Sequence, residues 1–218
     1  MSWPGYFISF EGLDGAGKST QVAALAGALR ADGNNVVIVR PSDTAVGDLI
    51  RGFLLQHQVD VAVDPWAEAM LFMASRVQLL RETIIPALRA GGVVIGDRYA
   101  DSTFAYQGGG RGLDVELLKE VHRQSCDAIW PDLTFLLELP RDEAVRRQRA
   151  QELPIDRFES EAERFHRAVQ STFDTLANAE PDRFVRVDAR PSAVAMSYSI
   201  NEIARQRLAA HRAAVPVG

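Results

Sequence analysis

The chain has 218 residues, 47% of them apolar and 24% charged, an ordinary globular composition that excludes wholesale disorder and fits one α/β domain burying about 70% of its unfolded surface. The formal charge of -5 disfavours a broad nucleic-acid surface, because such affinity comes mostly from neutralising phosphates, but it leaves room for a local basic pocket. Of the 24 basic side chains only Lys18 and Lys119 are lysines.

Tyr6 to Phe10 reads as a short strand closing on Glu11-Gly12, and Gln21 to Arg30 as a helix. Between them, Gly12-Leu13-Asp14-Gly15-Ala16-Gly17-Lys18-Ser19 fits glycine, any four residues, glycine, lysine, serine, in the strand-to-helix setting that a phosphate loop requires. Its glycines let N–H groups curl around phosphate oxygens, Lys18 reaches the outer phosphates, and Ser19 can ligate Mg²⁺. The expected ATP-binding set therefore runs from Gly12 to Ser19 and on to Thr20.

Asp32-Gly33-Asn34-Asn35 is a dense turn signal before Val36 to Val39, a β-branched run typical of a strand buried on both faces. Asp64 to Leu88 has helical periodicity; Pro86 is expected to kink its last turn, and Gly91-Gly92 to close it before the strand Val93 to Ile95. There follow a helix over Asp114 to Ser125, a strand from Leu133 to Leu137, a helix from Arg141, a helix over Ala162 to Ala177, a strand from Phe184 to Val187 and a helix from Ser192. Gln107 to Gly112 and Gln151 to Glu159 stand out as loops.

Strands alternating with helices predict an α/β fold with a five-stranded parallel sheet, helices on both faces, and ligands at the carboxyl ends of the strands. No repeat or linker divides residues 1–218, so one domain is expected. The lone Cys126 cannot make an internal disulfide, the first residues lack a basic leader, and no apolar run reaches 18 residues. These features predict a cytoplasmic protein without a membrane span.

A Mg²⁺-nucleotide site also calls for a carboxylate at a neighbouring strand end. Asp97 follows Val93 to Gly96, and Glu138 follows Leu133 to Leu137; Asp97 is favoured because Arg98 and Tyr99 come next. The scarcity of lysine excludes the Asn-Lys-x-Asp motif that reads guanine in switch proteins.

The remaining signals are Phe72-Met73-Ala74-Ser75-Arg76-Val77-Gln78, Gly96-Asp97-Arg98-Tyr99, Ser102-Thr103, Ala105-Tyr106-Gln107-Gly108-Gly109-Gly110-Arg111-Gly112, Pro131-Asp132-Leu133-Thr134 and Asp156-Arg157-Phe158-Glu159. With Phe10-Glu11-Gly12 and the phosphate loop, these segments resemble bacterial thymidylate kinases, in order and over nearly the whole chain. The resemblance implies the P-loop kinase fold and transfer of the γ-phosphoryl of ATP to dTMP, giving dTDP and ADP. It further implies Mg²⁺ at Ser19 and Asp97, a homodimer, small-molecule partners only, and no role for nucleic acid or membrane.

The resemblance also assigns roles. Phe72 would stack on thymine and Arg76, four residues on, would bond a base oxygen. Thr103, Tyr106 and Gln107 would face thymine and the deoxyribose, with the Tyr106 ring filling the space of a 2′-hydroxyl. Asp14 would accept from the sugar 3′-hydroxyl, while Arg98, with Arg51 as a second candidate, would clamp the acceptor phosphate. The implied catalytic set is Lys18, Asp97, Arg98 and Arg149. Because the phosphate loop carries no cation beyond Lys18, further charge is expected from Arg146, Arg147 and a lid over about 149–159, where Arg157 is an anchoring candidate. The chain departs from the family after the second strand, where Arg40-Pro41-Ser42-Asp43-Thr44 stands in place of Arg-Glu-Pro-Gly-Gly-Thr. A kinase of another nucleoside monophosphate or deoxynucleoside, and a nucleotide-dependent binding switch, are the alternatives.

Overall fold

The computed structural model describes residues 3–55, 62–150, 158 and 161–214, the side chains of 148–150 excepted. Five strands, β1 (Tyr6–Gly12), β2 (Val36–Val39), β3 (Val93–Asp97), β4 (Leu133–Glu138) and β5 (Phe184–Asp188), form one sheet in the order β2-β3-β1-β4-β5. Every pairing is parallel, and Phe10 lies opposite both Asp97 and Phe135. The five predicted strands are all present.

Alternation along β1 divides the core. Tyr6, Ile8 and Phe10 pack with Leu25 and Leu29 of α1 (Lys18–Ala31) and with Ile200 and Leu208 of the last helix, Ala193–Ala214. Phe7 joins the opposite layer, which holds Met73, Leu80, Phe104, Leu118 and Phe173. Each such side chain, fully buried, contributes roughly 1.5–3 kcal/mol.

Between β2 and β3 lie α2 (Ala45–Leu55), α3 (Pro65–Leu79), a π-helical turn over Leu80–Ile84 and α4 (Ile85–Arg89). Helix α2 was not expected from the sequence. The predicted helix through Leu88 is present, but its irregularity precedes Pro86: the ring would crowd the carbonyl four residues back, and the wider turn accommodates the missing hydrogen bond. Asp64 caps α3, accepting from Trp66 N at 2.8 Å, a contact worth about 1 kcal/mol.

After β3 come α5 (Ala100–Thr103), a second π-helical turn over Phe104–Gly110, and α6 (Val115–Ser125). Gln107 to Gly110 are therefore helical where a loop was expected. Their glycines admit a neighbour: a Cβ on Gly109 would sit 2.1 Å from Thr172 Oγ1 and 2.8 Å from Ala168 O. Those residues belong to α8 (Glu163–Ala179), which follows α7 (Arg141–Ala150); the helix over 193–214 is α9. Among the described residues no helix is long and apolar enough to cross a membrane.

Candidate active site

β1 runs into the phosphate loop, where Gly12, Gly15 and Gly17 have φ of 129, 84 and 90°, a region that favours glycine and curls the chain. α1 starts directly after Gly17 with no side-chain cap and no acid in its first turn, so the positive end of its dipole is left to an anion. Lys18 is buried; its Nζ donates to Gly12 O (3.1 Å) and Leu13 O (2.9 Å) and lies 3.4 Å from Asp14 Oδ1. Burial and the neighbouring Arg98 guanidinium lower its pKa, against the pull of Asp14. Ser19 and Thr20 are exposed.

Ser19 Oγ donates to Asp97 Oδ2 at 2.6 Å. The parallel register makes this meeting possible by bringing the carboxyl end of β3 beside β1. Arg40 Nε, at the end of β2, lies 3.9 Å from the same carboxylate oxygen. A hydroxyl and a carboxylate beside a phosphate loop suit a hard cation that takes its other ligands from phosphates and water. Among the described residues no group of three or more His, Cys, Asp or Glu forms a metal site of its own. Glu138, the rival acid, pairs with Arg186 of β5.

Beside the loop opens a cleft of about 740 Å³, open mouth included, lined by Asp14, Arg51, Phe72, Arg76, Arg98, Thr103, Tyr106 and Gln107. These are all eight residues expected to hold the acceptor. Phe72 is half-buried, packed against the core while also lining the cleft. Arg76 is 6% exposed; it donates to Thr103 Oγ1, to Tyr99 O at 3.3 Å and to Met73 Sδ at 3.2 Å, with its guanidinium 5.5 Å from the Tyr99 ring centre. Gln107 Nε2 donates to the buried Glu68 at 2.9 Å, and Arg111 Nε reaches the same oxygen at 3.2 Å. Arg51 lies exposed on α2.

Arg98 connects cleft and loop. Its φ of 75° is uncommon for a side-chain-bearing residue. Nη2 meets Asp14 Oδ1 at 2.5 Å and Tyr106 OH at 3.3 Å, Nη1 meets Ser102 Oγ at 2.9 Å, and the guanidinium lies 5.1 Å from the Tyr106 ring centre. Burial would raise the pKa of Asp14, but Arg98 and Lys18 outweigh it and hold the carboxyl well below the usual range.

The divergent segment after β2 has a local logic. Asp43 Oδ2 accepts from Arg40 N at 2.8 Å, and Pro41 O accepts from Ser75 Oγ of α3 at 2.6 Å. Asp43 thus closes the turn, leaving Pro41 on the cleft and Arg40 toward Asp97.

On α7, Arg146 and Arg147 both pair with Glu143, and Arg147 also donates to Arg190 O at 3.2 Å. These two arginines form an ion-paired face instead of reaching the loop. The Arg149 side chain and Arg157 lie outside what the structure describes, as does most of the segment 149–159. Phe158 is buried on the cleft, its ring 6.0 Å from Phe72 and 5.9 Å from Tyr106. Sequence reasoning assigned no role to Glu11, Arg40, Glu68 or Ser102. A carboxylate ending the apolar run of β1, and the four-residue spacing of Arg98 and Ser102, were the available signals.

A parallel sheet, a phosphate loop at the end of its central strand and a polar cleft alongside define a P-loop nucleotide kinase. The family model for thymidylate kinase matches residues 10–200. The chain is 45% identical over 190 residues to a thymidylate kinase of Thermomicrobium roseum, covering 87% of this chain and 88% of that one. It is 43% identical to one of Gluconobacter oxydans, covering 95% and 98%. A crystal structure of thymidylate kinase from Ehrlichia chaffeensis superposes with a TM-score of 0.74 at 29% identity, covering 92% and 98%. The chain belongs to the thymidylate kinase family.

Proposed function

We infer that the protein transfers the γ-phosphoryl group of ATP to dTMP, giving dTDP and ADP. One observation carries this: the eight expected acceptor residues line a single cleft, and Arg98 joins that cleft to the phosphate loop through Asp14. Phosphoryl transfer asks little covalent chemistry of a protein and is accelerated by positioning and by charge placed around the moving group.

The phosphates of ATP are assigned to the loop, where Lys18 exchanges two backbone carbonyls for phosphate oxygens. Ser19 and Asp97 would hold Mg²⁺, which would supply positive charge to offset that of the ATP phosphates. Arg98, with Arg51 at the rim, is assigned to the acceptor phosphate. Phe72 and Arg76 are assigned to the base, and Asp14 and Tyr106 to the sugar. Thr103 orients Arg76 through their hydrogen bond, and Gln107 is fixed by Glu68. Arg149 is the proposed lid cation.

We place the enzyme in the cytoplasm, in keeping with its single, buried and unpaired Cys126. We also propose a homodimer, formed by the apolar side chains that α2 and α3 expose.

Steady-state turnover of purified protein with ATP and a panel of dTMP, dUMP, dCMP, dGMP and thymidine tests the reading. The highest kcat/KM is expected for dTMP, and Arg76→Ala is expected to lower it roughly tenfold or more while narrowing the ratio to dCMP. Turnover of another acceptor without dTMP would refute the assignment.

A further inference from the structure

Glu11 is the last side chain of β1 before the phosphate loop, and it is 0% exposed. Among the described residues it has no ion pair within 4.0 Å. Each of its carboxylate oxygens is nonetheless hydrogen-bonded: Oε1 accepts the Tyr99 N–H at 2.7 Å, and Oε2 accepts the Ser102 hydroxyl at 2.5 Å. A buried carboxylate without a salt-bridge partner is costly, and it persists where the surrounding structure needs what it holds.

The two groups it holds flank Arg98 in space. Tyr99 follows the residue with φ of 75°, so the bond to its N–H fixes the backbone just after that left-handed conformation. Ser102 has one hydroxyl proton and gives it to Glu11; its lone pairs then face Arg98, whose Nη1 donates to them at 2.9 Å. A chain of hydrogen bonds therefore runs from Glu11 through Ser102 to the guanidinium, and on to Asp14 in the loop.

We propose that Glu11 is a positioning residue for phosphoryl transfer, setting through Tyr99 and Ser102 where the Arg98 guanidinium meets the acceptor phosphate. The proposal rests on the assignment of Arg98 to that phosphate. Glu11 touches neither substrate; it acts by holding the backbone and one arm of an arginine whose other arm faces the cleft. An ångström of displacement at such a cation is enough to cost about a hundredfold in rate.

The test uses the full chain with Glu11→Gln, Ser102→Ala, Ser102→Thr and Arg98→Ala, measuring kcat, both KM values and melting temperature. Glutamine keeps the shape and the bond to Tyr99 N but offers Ser102 an N–H in place of an acceptor. Glu11→Gln and Ser102→Ala are each expected to lower kcat roughly tenfold and raise KM for dTMP, with KM for ATP changed less than about twofold. Their double variant is expected to be no worse than the poorer single, since both break one chain, and Ser102→Thr, which keeps the hydroxyl, to recover most of kcat. Wild-type kcat and dTMP KM in Glu11→Gln and Ser102→Ala, with Arg98→Ala disabled, would overturn the proposal and leave the acceptor assignment standing. Near-normal turnover of Arg98→Ala would instead remove the assignment beneath it. Equal rises in both KM values with a lowered melting temperature and no rescue by threonine would mark a structural role alone, and would also overturn it.

Discussion

A carboxylate sealed at the end of a strand has a thermodynamic signature of its own. Burial, then the nearby Asp101, push the pKa of Glu11 from 4.5 up to about 7, against the opposing pull of Arg98, Ser102 and the Tyr99 N–H. The folded protein therefore holds this proton over a range where the unfolded chain has released it. Stability falls as pH rises from about 4.5 to 7, the reverse of an ion-paired acid. In Glu11→Gln this loss is absent, so the melting temperature of the wild type relative to the variant is expected to decline across that window and level off above it. Thermal unfolding of both proteins at pH 5, 6, 7 and 8 would check this, and a constant difference would contradict it. Arg76 was legible in the sequence because an arginine inside an apolar helix is hard to explain as packing. Glu11 was hidden, because its partners are a backbone N–H and a hydroxyl 91 residues away.

At the scale of elements, the strands were readable as short runs rich in apolar residues, continuous in β1, β3 and β4, which are covered on both faces, and still evident in the partly exposed β2 and β5. Helix α2 was not, and Gly47 and Gly52 are the reason: two glycines in 11 residues lower helix propensity by about 2 kcal/mol. Gly47 is required by packing, since a Cβ there would lie 2.1 Å from Pro41 O, and Thr44 Oγ1 stabilises the helix start by accepting from Gly47 N at 2.9 Å. The glycine-rich turn after Tyr106 misled in the same way; its composition suggests a loop, while its contacts with α8 demand a close approach. Gly109→Ala is expected to cost about 1–3 kcal/mol, because Ala168 O is backbone and cannot rotate aside. A fall in melting temperature of roughly 3–10 °C would register this, and an unchanged value would mean that α8 shifts freely.

For the whole molecule, the acceptor set was legible through the family resemblance of its motifs, and the fold brings those motifs, distant in sequence, to one cleft. Of the expected lid cations, Arg146 and Arg147 pair with Glu143 on α7. The helix from Asp64 was a candidate interface in the sequence, but the apolar face that α2 adds was not: Leu49 is 75% exposed, with Val46 and Phe53 of α2 and Met70 of α3 also exposed. Such a patch suits an isologous contact between two copies. Sedimentation of the wild type is expected to give twice the 24.0 kDa chain mass, and Leu49→Glu with Phe53→Glu to give the single chain. A monomeric wild type would exclude the dimer.

The division of the core by β1 has one more consequence. α1 and α9 pack on one face of the sheet, whereas Met73, Tyr99, Phe104 and Tyr106, around the acceptor, pack on the other. The helix that follows the phosphate loop and the side chains around the acceptor thus pack on opposite faces of the sheet, while Leu13 of the loop joins the acceptor's layer. Variation confined to α2 and α3 can therefore alter the acceptor's side of the cleft while the packing of α1 and α9, which carries the helix after the phosphate loop, is left unchanged.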